Sequence, residues 1–81
     1  MRLPIKTVCR RQAAKLMYRR GVTYAQQQSF DAAVNAFTQA MEKDYLPLCD
    51  AQVMRGINRV KLRDMEGAIA DFEAVIQSVS N

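Results

Sequence analysis

Residues 56–76 read GINRVKLRDMEGAIADFEAVI, and residues 21–41 read GVTYAQQQSFDAAVNAFTQAM. The two stretches align at an offset of 35 through Gly21/Gly56, Phe30/Met65, Ala33/Ala68, Val34/Ile69, Phe37/Phe72, Ala40/Val75 and Met41/Ile76. Each stretch has helical periodicity, then a short polar break, then a second apolar stripe at spacings of three and four. Self-similarity at a period of 20 to 50 residues marks a repeat array. The expected unit is therefore a helical hairpin, and the chain holds two of them.

Working outward, Phe30, Ala33, Val34, Phe37, Ala40 and Met41 define a helix over about 30–43, with Ser29 as its N-cap and Asp31 at the positive end of its dipole. The run from Lys43 to Pro47 ends it, because the residue before a proline avoids the α region. Leu48, Val53, Met54, Ile57 and Val60 mark a helix from after Pro47 to about 62. Asp64 caps a last helix over about 65–78, with Met65, Ala68, Ile69, Phe72, Val75, Ile76 and Val79 along one stripe. Gly67 in its first turn is a local weakness. Upstream, residues 6–27 form one long helix whose best apolar stripe is Cys9, Ala13, Leu16 and Met17. No segment alternates as a strand does. The fold class expected is all-α: two helix-turn-helix repeats, four antiparallel helices, in a short right-handed α-solenoid. Its parts are a basic extension over 1–13, a first repeat over 14–47 and a second over 48–81, in a single domain 1–81.

The interior glycines need a packing reason, since each costs about 1 kcal/mol relative to alanine in a helix. Folding each hairpin at its turn sets Gly21 opposite Ala33 and Gly56 opposite Ala68, with Phe37 and Phe72 filling the space one turn on. Gly56→Leu or Ala68→Leu would overpack the hairpin by about 1–3 kcal/mol.

Charge separates the ends of the chain. The net charge of +4 arises in residues 1–20, which carry Arg2, Lys6, Arg10, Arg11, Lys15, Arg19 and Arg20 and no acid. Arg10, Arg11, Arg19 and Arg20 form a candidate basic patch, suited to phosphates or to an acidic protein surface. An acid-free, arginine-rich leader also fits mitochondrial targeting, as an alternative to a cytoplasmic location. No apolar run approaches the ~18 residues of a membrane span. The chain has two cysteines, Cys9 and Cys49, and no histidine. That excludes Cys/His nucleophile pairs and most zinc ligand sets. Both thiols are read as reduced. No phosphate loop, nucleophile–base pair or metal constellation is visible, so no catalytic residue, cofactor or enzyme activity is assigned.

The pattern resembles the tetratricopeptide repeat, whose signature is W-x2-L-G-x2-Y…A-x3-F…P. Gly21, Tyr24, Ala33, Phe37 and Ala40 carry it in the first unit, and Gly56, Ala68 and Phe72 in the second. Met17 and Gln52 stand where the family favours Trp, Arg20 and Arg55 where it favours Leu, and Arg59 where it favours Tyr. Arg55 is expected to reach Asp71 as a surface pair worth ~0–1 kcal/mol. The period of 35, the basic N-terminus and Pro47 also resemble the pentatricopeptide repeat, which reads RNA.

The tetratricopeptide resemblance implies a non-enzymatic adaptor or scaffold that grips a peptide or helix on a concave face lined by the first helix of each unit. Here that face would be Lys15, Tyr18, Val22 and Gln26, then Asp50, Val53, Ile57 and Lys61. Val22, Val53 and Ile57 have a second reading as simple interhelix packing. Tyr18, Val22 and Met54 occupy the positions of the family's carboxylate clamp, which disfavours an acidic chaperone tail as ligand. Two units are fewer than the three or more that such arrays usually need, and the last helix keeps an apolar flank. Self-association through that helix is therefore a further expectation. The pentatricopeptide resemblance implies the second function, RNA binding through the basic first helix.

Overall fold

The computed structural model describes the backbone of residues 5–43, 45 and 48–80, and the side chains of residues 11–43, 45 and 48–79. Four helices follow one another: α1 (Ile5–Gln26), α2 (Phe30–Glu42), α3 (Leu48–Lys61) and α4 (Met65–Ser80). All four lie within two residues of the expected boundaries. No strand occurs among the described residues. Each helix packs on the next in sequence, so the layers run α1 on α2, α2 on α3 and α3 on α4. The described residues form a slab of 46 × 34 × 14 Å.

The two hairpin turns are built alike, 35 residues apart. Gln28 and Arg63 both adopt the left-handed region, with φ of 63° and 66°. The amide of Ser29 donates to the carbonyl of Tyr24 at 2.8 Å, and that of Asp64 donates to Arg59 at 2.8 Å. Gln28 donates to Ala25 and Arg63 to Val60, each at 3.0 Å. These are the paired bonds of a Schellman ending, which satisfy the last carbonyls of α1 and α3.

The starts of α2 and α4 differ. Asp64 accepts a hydrogen bond from the amide of Gly67 at 3.0 Å, as a capping carboxylate should. A Cβ on Gly67 would collide with the Asp64 carboxylate, so this glycine makes room for the cap and is more than the local weakness it resembles in sequence. Ser29 sits at the equivalent position, but its hydroxyl makes no cap bond. The expected side-chain cap of α2 is therefore absent.

The core is small. Among the described residues Ala14, Ala33, Ala36, Phe37, Ala40, Ala51 and Ala68 are the buried apolar ones, and Phe37 is the one large side chain in that set. The expected face of α1 is corrected: Leu16 is 46% exposed, whereas Ala14 is buried. The helix turns Ala14, Tyr18 and Gly21 inward because that row leaves room for the Phe37 ring to approach the backbone. An added Cβ on Gly21 would stand 2.6 Å from the Phe37 ring, and one on Gly56 would stand 2.7 Å from the Phe72 ring. Each glycine thus meets the phenylalanine of its own hairpin, rather than having the alanine as its nearest neighbour. The physical reason is the same, close approach of two helices, but the ring fills the space a side chain would take.

Candidate functional site

The candidate binding residues divide between two settings. On α1, Lys15 and Gln26 are exposed and Val22 is half-buried. On α3, Asp50, Ile57 and Lys61 are exposed and Val53 is half-buried. Ile57 exposes 41% of its surface, so it is not consumed by packing between helices.

Tyr18 links the two helices. Its ring stacks on Tyr45 with centroids 4.3 Å apart and planes 4° apart, and meets Phe37 edge-on at 5.4 Å. Burial raises its phenol above the ordinary tyrosine range, and the nearby Tyr45 and Asp50 push it further the same way. Tyr18 of α1, Tyr45 of the α2–α3 connection and Asp50 of α3 are therefore neighbours. Sequence spacing did not point to Tyr45, which had no motif position of its own.

A second constellation lies on the other side of α3. Asp71 of α4 is 2% exposed. Its carboxylate accepts hydrogen bonds from Arg55 Nη2 at 2.6 Å, from Arg55 Nε at 3.1 and 3.2 Å, from Arg59 Nη1 at 2.9 Å and from Gln52 Nε2 at 3.5 Å. Arg55 Nη1 also donates to the Thr38 hydroxyl of α2 at 3.2 Å, tying both hairpins together. The expected Arg55–Asp71 pair exists, but it is buried and joined by a second arginine, so the surface-pair energy does not apply. Burial alone would raise the Asp71 carboxyl. The Arg55 hydrogen bonds and the charges of Arg55 and Arg59 outweigh it and hold Asp71 below the usual carboxylate range. Arg59 Nε is buried without a hydrogen-bond partner, 3.7 Å from the Asp64 carboxylate. The three polar residues at these positions, Gln52, Arg55 and Arg59, replace the Trp, Leu and Tyr of the repeat signature. Their common partner is a carboxylate, which makes the replacement coherent.

Of the basic patch, Arg11, Arg19 and Arg20 are exposed on α1, and the side chain of Arg10 lies outside the described residues. Arg20 also lines a groove of about 220 Å³ between α1 and α2, with Met17, Tyr24, Ala32, Asn35, Ala36 and Gln39. Cys49 is a free, half-buried thiol 3.5 Å from the Ser78 hydroxyl, and Cys9 lies outside the described side chains. Among the described residues no group of three or more Cys, Asp or Glu could hold a metal ion. No described helix is long and apolar enough to cross a membrane.

Two stacked helical hairpins with matching turns and glycine–phenylalanine contacts define an all-α helical-repeat protein. Residues 14–44 match the family model described as tetratricopeptide repeat, and this chain carries that repeat. The α3–α4 hairpin reproduces its turn, its buried alanine and its glycine lock one period later. No curated protein and no solved structure matches the chain. Tetratricopeptide repeats are typically non-enzymatic interaction modules.

Proposed function

We propose that this protein is a protein–protein interaction module, an adaptor or scaffold that holds a peptide or helix of another protein against the face shared by α1 and α3. The observation that carries this reading is the exposed Ile57 on α3, which shares one helix face with Asp50, Val53 and Lys61, Asp50 being the residue that neighbours the stacked Tyr18 and Tyr45. An apolar centre with charged margins suits a partner that buries one or two large side chains and fixes its direction by charge. RNA binding is the second reading, resting on exposed Arg11, Arg19 and Arg20.

The test is capture of partners from cell extract by the full chain and by Ile57→Asp, with and without nuclease, at two salt concentrations. A protein partner resists nuclease, responds weakly to salt and is lost with Ile57→Asp. Loss of all retained material on nuclease treatment, with steep salt dependence, would contradict the protein-module reading.

A further inference from the structure

The repeat offset sets two exposed surfaces of the described residues against their counterparts inside the molecule. Inside the molecule, α2 rests on α3. Val34 and Met41 of α2 are half-buried, and between them Thr38 receives a hydrogen bond from Arg55 at 3.2 Å. Thirty-five residues on, the counterparts of Val34, Thr38 and Met41 are Ile69, Glu73 and Ile76 on α4. Ile69 is 55% exposed, Ile76 is 62% exposed, and Glu73 is exposed with them.

The opposite end is complementary. The groove between α1 and α2 is the first unit's version of the surface on which α2 sits in the second. Its Arg20 is the counterpart of Arg55, and its Ala36 the counterpart of Asp71. Arg20 therefore has no carboxylate in its own hairpin where Arg55 has one. Among the described residues, no hydrogen bond or ion pair engages Arg20 or Glu73.

We infer that copies of this chain associate head to tail, α4 of one copy lying in the α1–α2 groove of the next as α2 lies against α3. In this register Glu73 takes the place of Thr38 and meets Arg20 of the neighbouring copy in the place of Arg55. Ile69 and Ile76 cover Met17 and Tyr24. Charge favours this arrangement over a two-fold α4–α4 contact: Glu73 lies at the middle of Met65–Ser80, so a two-fold axis there would set two like charges together. A head-to-tail contact leaves one free surface at each end of a pair, so it adds copies beyond two until the rotation between them closes a ring, and without limit where it does not.

Sedimentation of the full chain over about 10 µM to 1 mM tests this, a range in which weak association becomes visible. The average mass should climb past that of two chains as concentration rises. Arg20→Glu and Glu73→Arg should each raise the dissociation constant by about tenfold or more, because each sets like charges together. An equimolar mixture of the two variants should associate again, since every contact then pairs opposite charges, and this recovery shows that neither variant has simply unfolded. Glu73→Gln, at an exposed position where folding is not at stake, should weaken association less and reduce its salt dependence. A mass that stays at one chain, a plateau at two chains, or association unchanged by Arg20→Glu and Glu73→Gln would each overturn the inference.

Discussion

The first hairpin carries Ala36 where, 35 residues later, the second carries Asp71. The first hairpin is packed by apolar and aromatic groups: Phe37 is fully buried, Tyr18 meets it edge-on, and Tyr45 stacks on Tyr18. Around Asp71 the packing is ionic, with Arg55, Arg59 and Gln52 converging on one carboxylate while Phe72 is only half-buried. Both hairpins keep the same turns and the same glycine–ring contact. One backbone plan is thus held by two chemistries. A repeat can exchange its apolar signature residues for charged ones if the group opposite changes with them, because a buried charge is tolerated when it is paired and hydrogen-bonded, as the Asp71 carboxylate is.

Substitutions can break this comparison. Phe37→Ala should cause the largest loss, about 3–5 kcal/mol, as expected for truncating a fully buried aromatic. Phe72→Ala should cost less, since Phe72 is half-buried. Urea denaturation monitored by circular dichroism checks the order, and equal losses would mean the hairpins are held alike. Asp71→Ala should come next. Removing one partner of a buried pair costs ~3–5 kcal/mol, and the two arginines here partly reach water, which lowers the expectation to about 2–3 kcal/mol. Ala36→Asp, the reverse exchange, should not be rescued by Arg20 alone, because Tyr24 stands in the place of Arg59. Gly21→Ala and Gly56→Ala should each lose about 1–3 kcal/mol by driving a methyl group into the facing ring. The smallest effect should be a gain: Arg63→Gly relieves a left-handed non-glycine residue and should add about 0.5–1 kcal/mol by the same denaturation assay.

Much of this is legible in the sequence itself. The four helices and the period followed from apolar spacing, and Asp64 was readable as a cap because its carboxylate can reach a backbone amide three residues on. Ser29 had the same local signature and makes no such bond, since a hydroxyl's rotamer depends on surroundings that spacing does not encode. Leu16 was misread as core because α1 is apolar on no single face, and the helix is oriented by Gly21 and Ala14 admitting Phe37. The Arg55–Asp71 pairing was readable, but its burial was not. Burial depends on how α2 closes over α3, which is a tertiary fact carried by Thr38 and Arg59. For the candidate site, α1 and α3 supplied their residues from the repeat register, whereas Tyr45 entered only through the path of the connection between hairpins.

The most direct test of the account is the acid limb of stability, compared between the natural chain and Asp71→Asn by urea titration from pH 7 to about pH 2. The folded-state carboxyl of Asp71 lies below the unfolded one. Its contribution is therefore fully present above the ordinary carboxylate range and is lost as pH falls through the folded value. The account predicts that the natural chain loses stability steeply on acidification while Asp71→Asn starts lower and falls less, so the two curves converge at low pH. Parallel curves across the whole range would show that Asp71 carries no buried charge, and would contradict the ionic lock of the second hairpin.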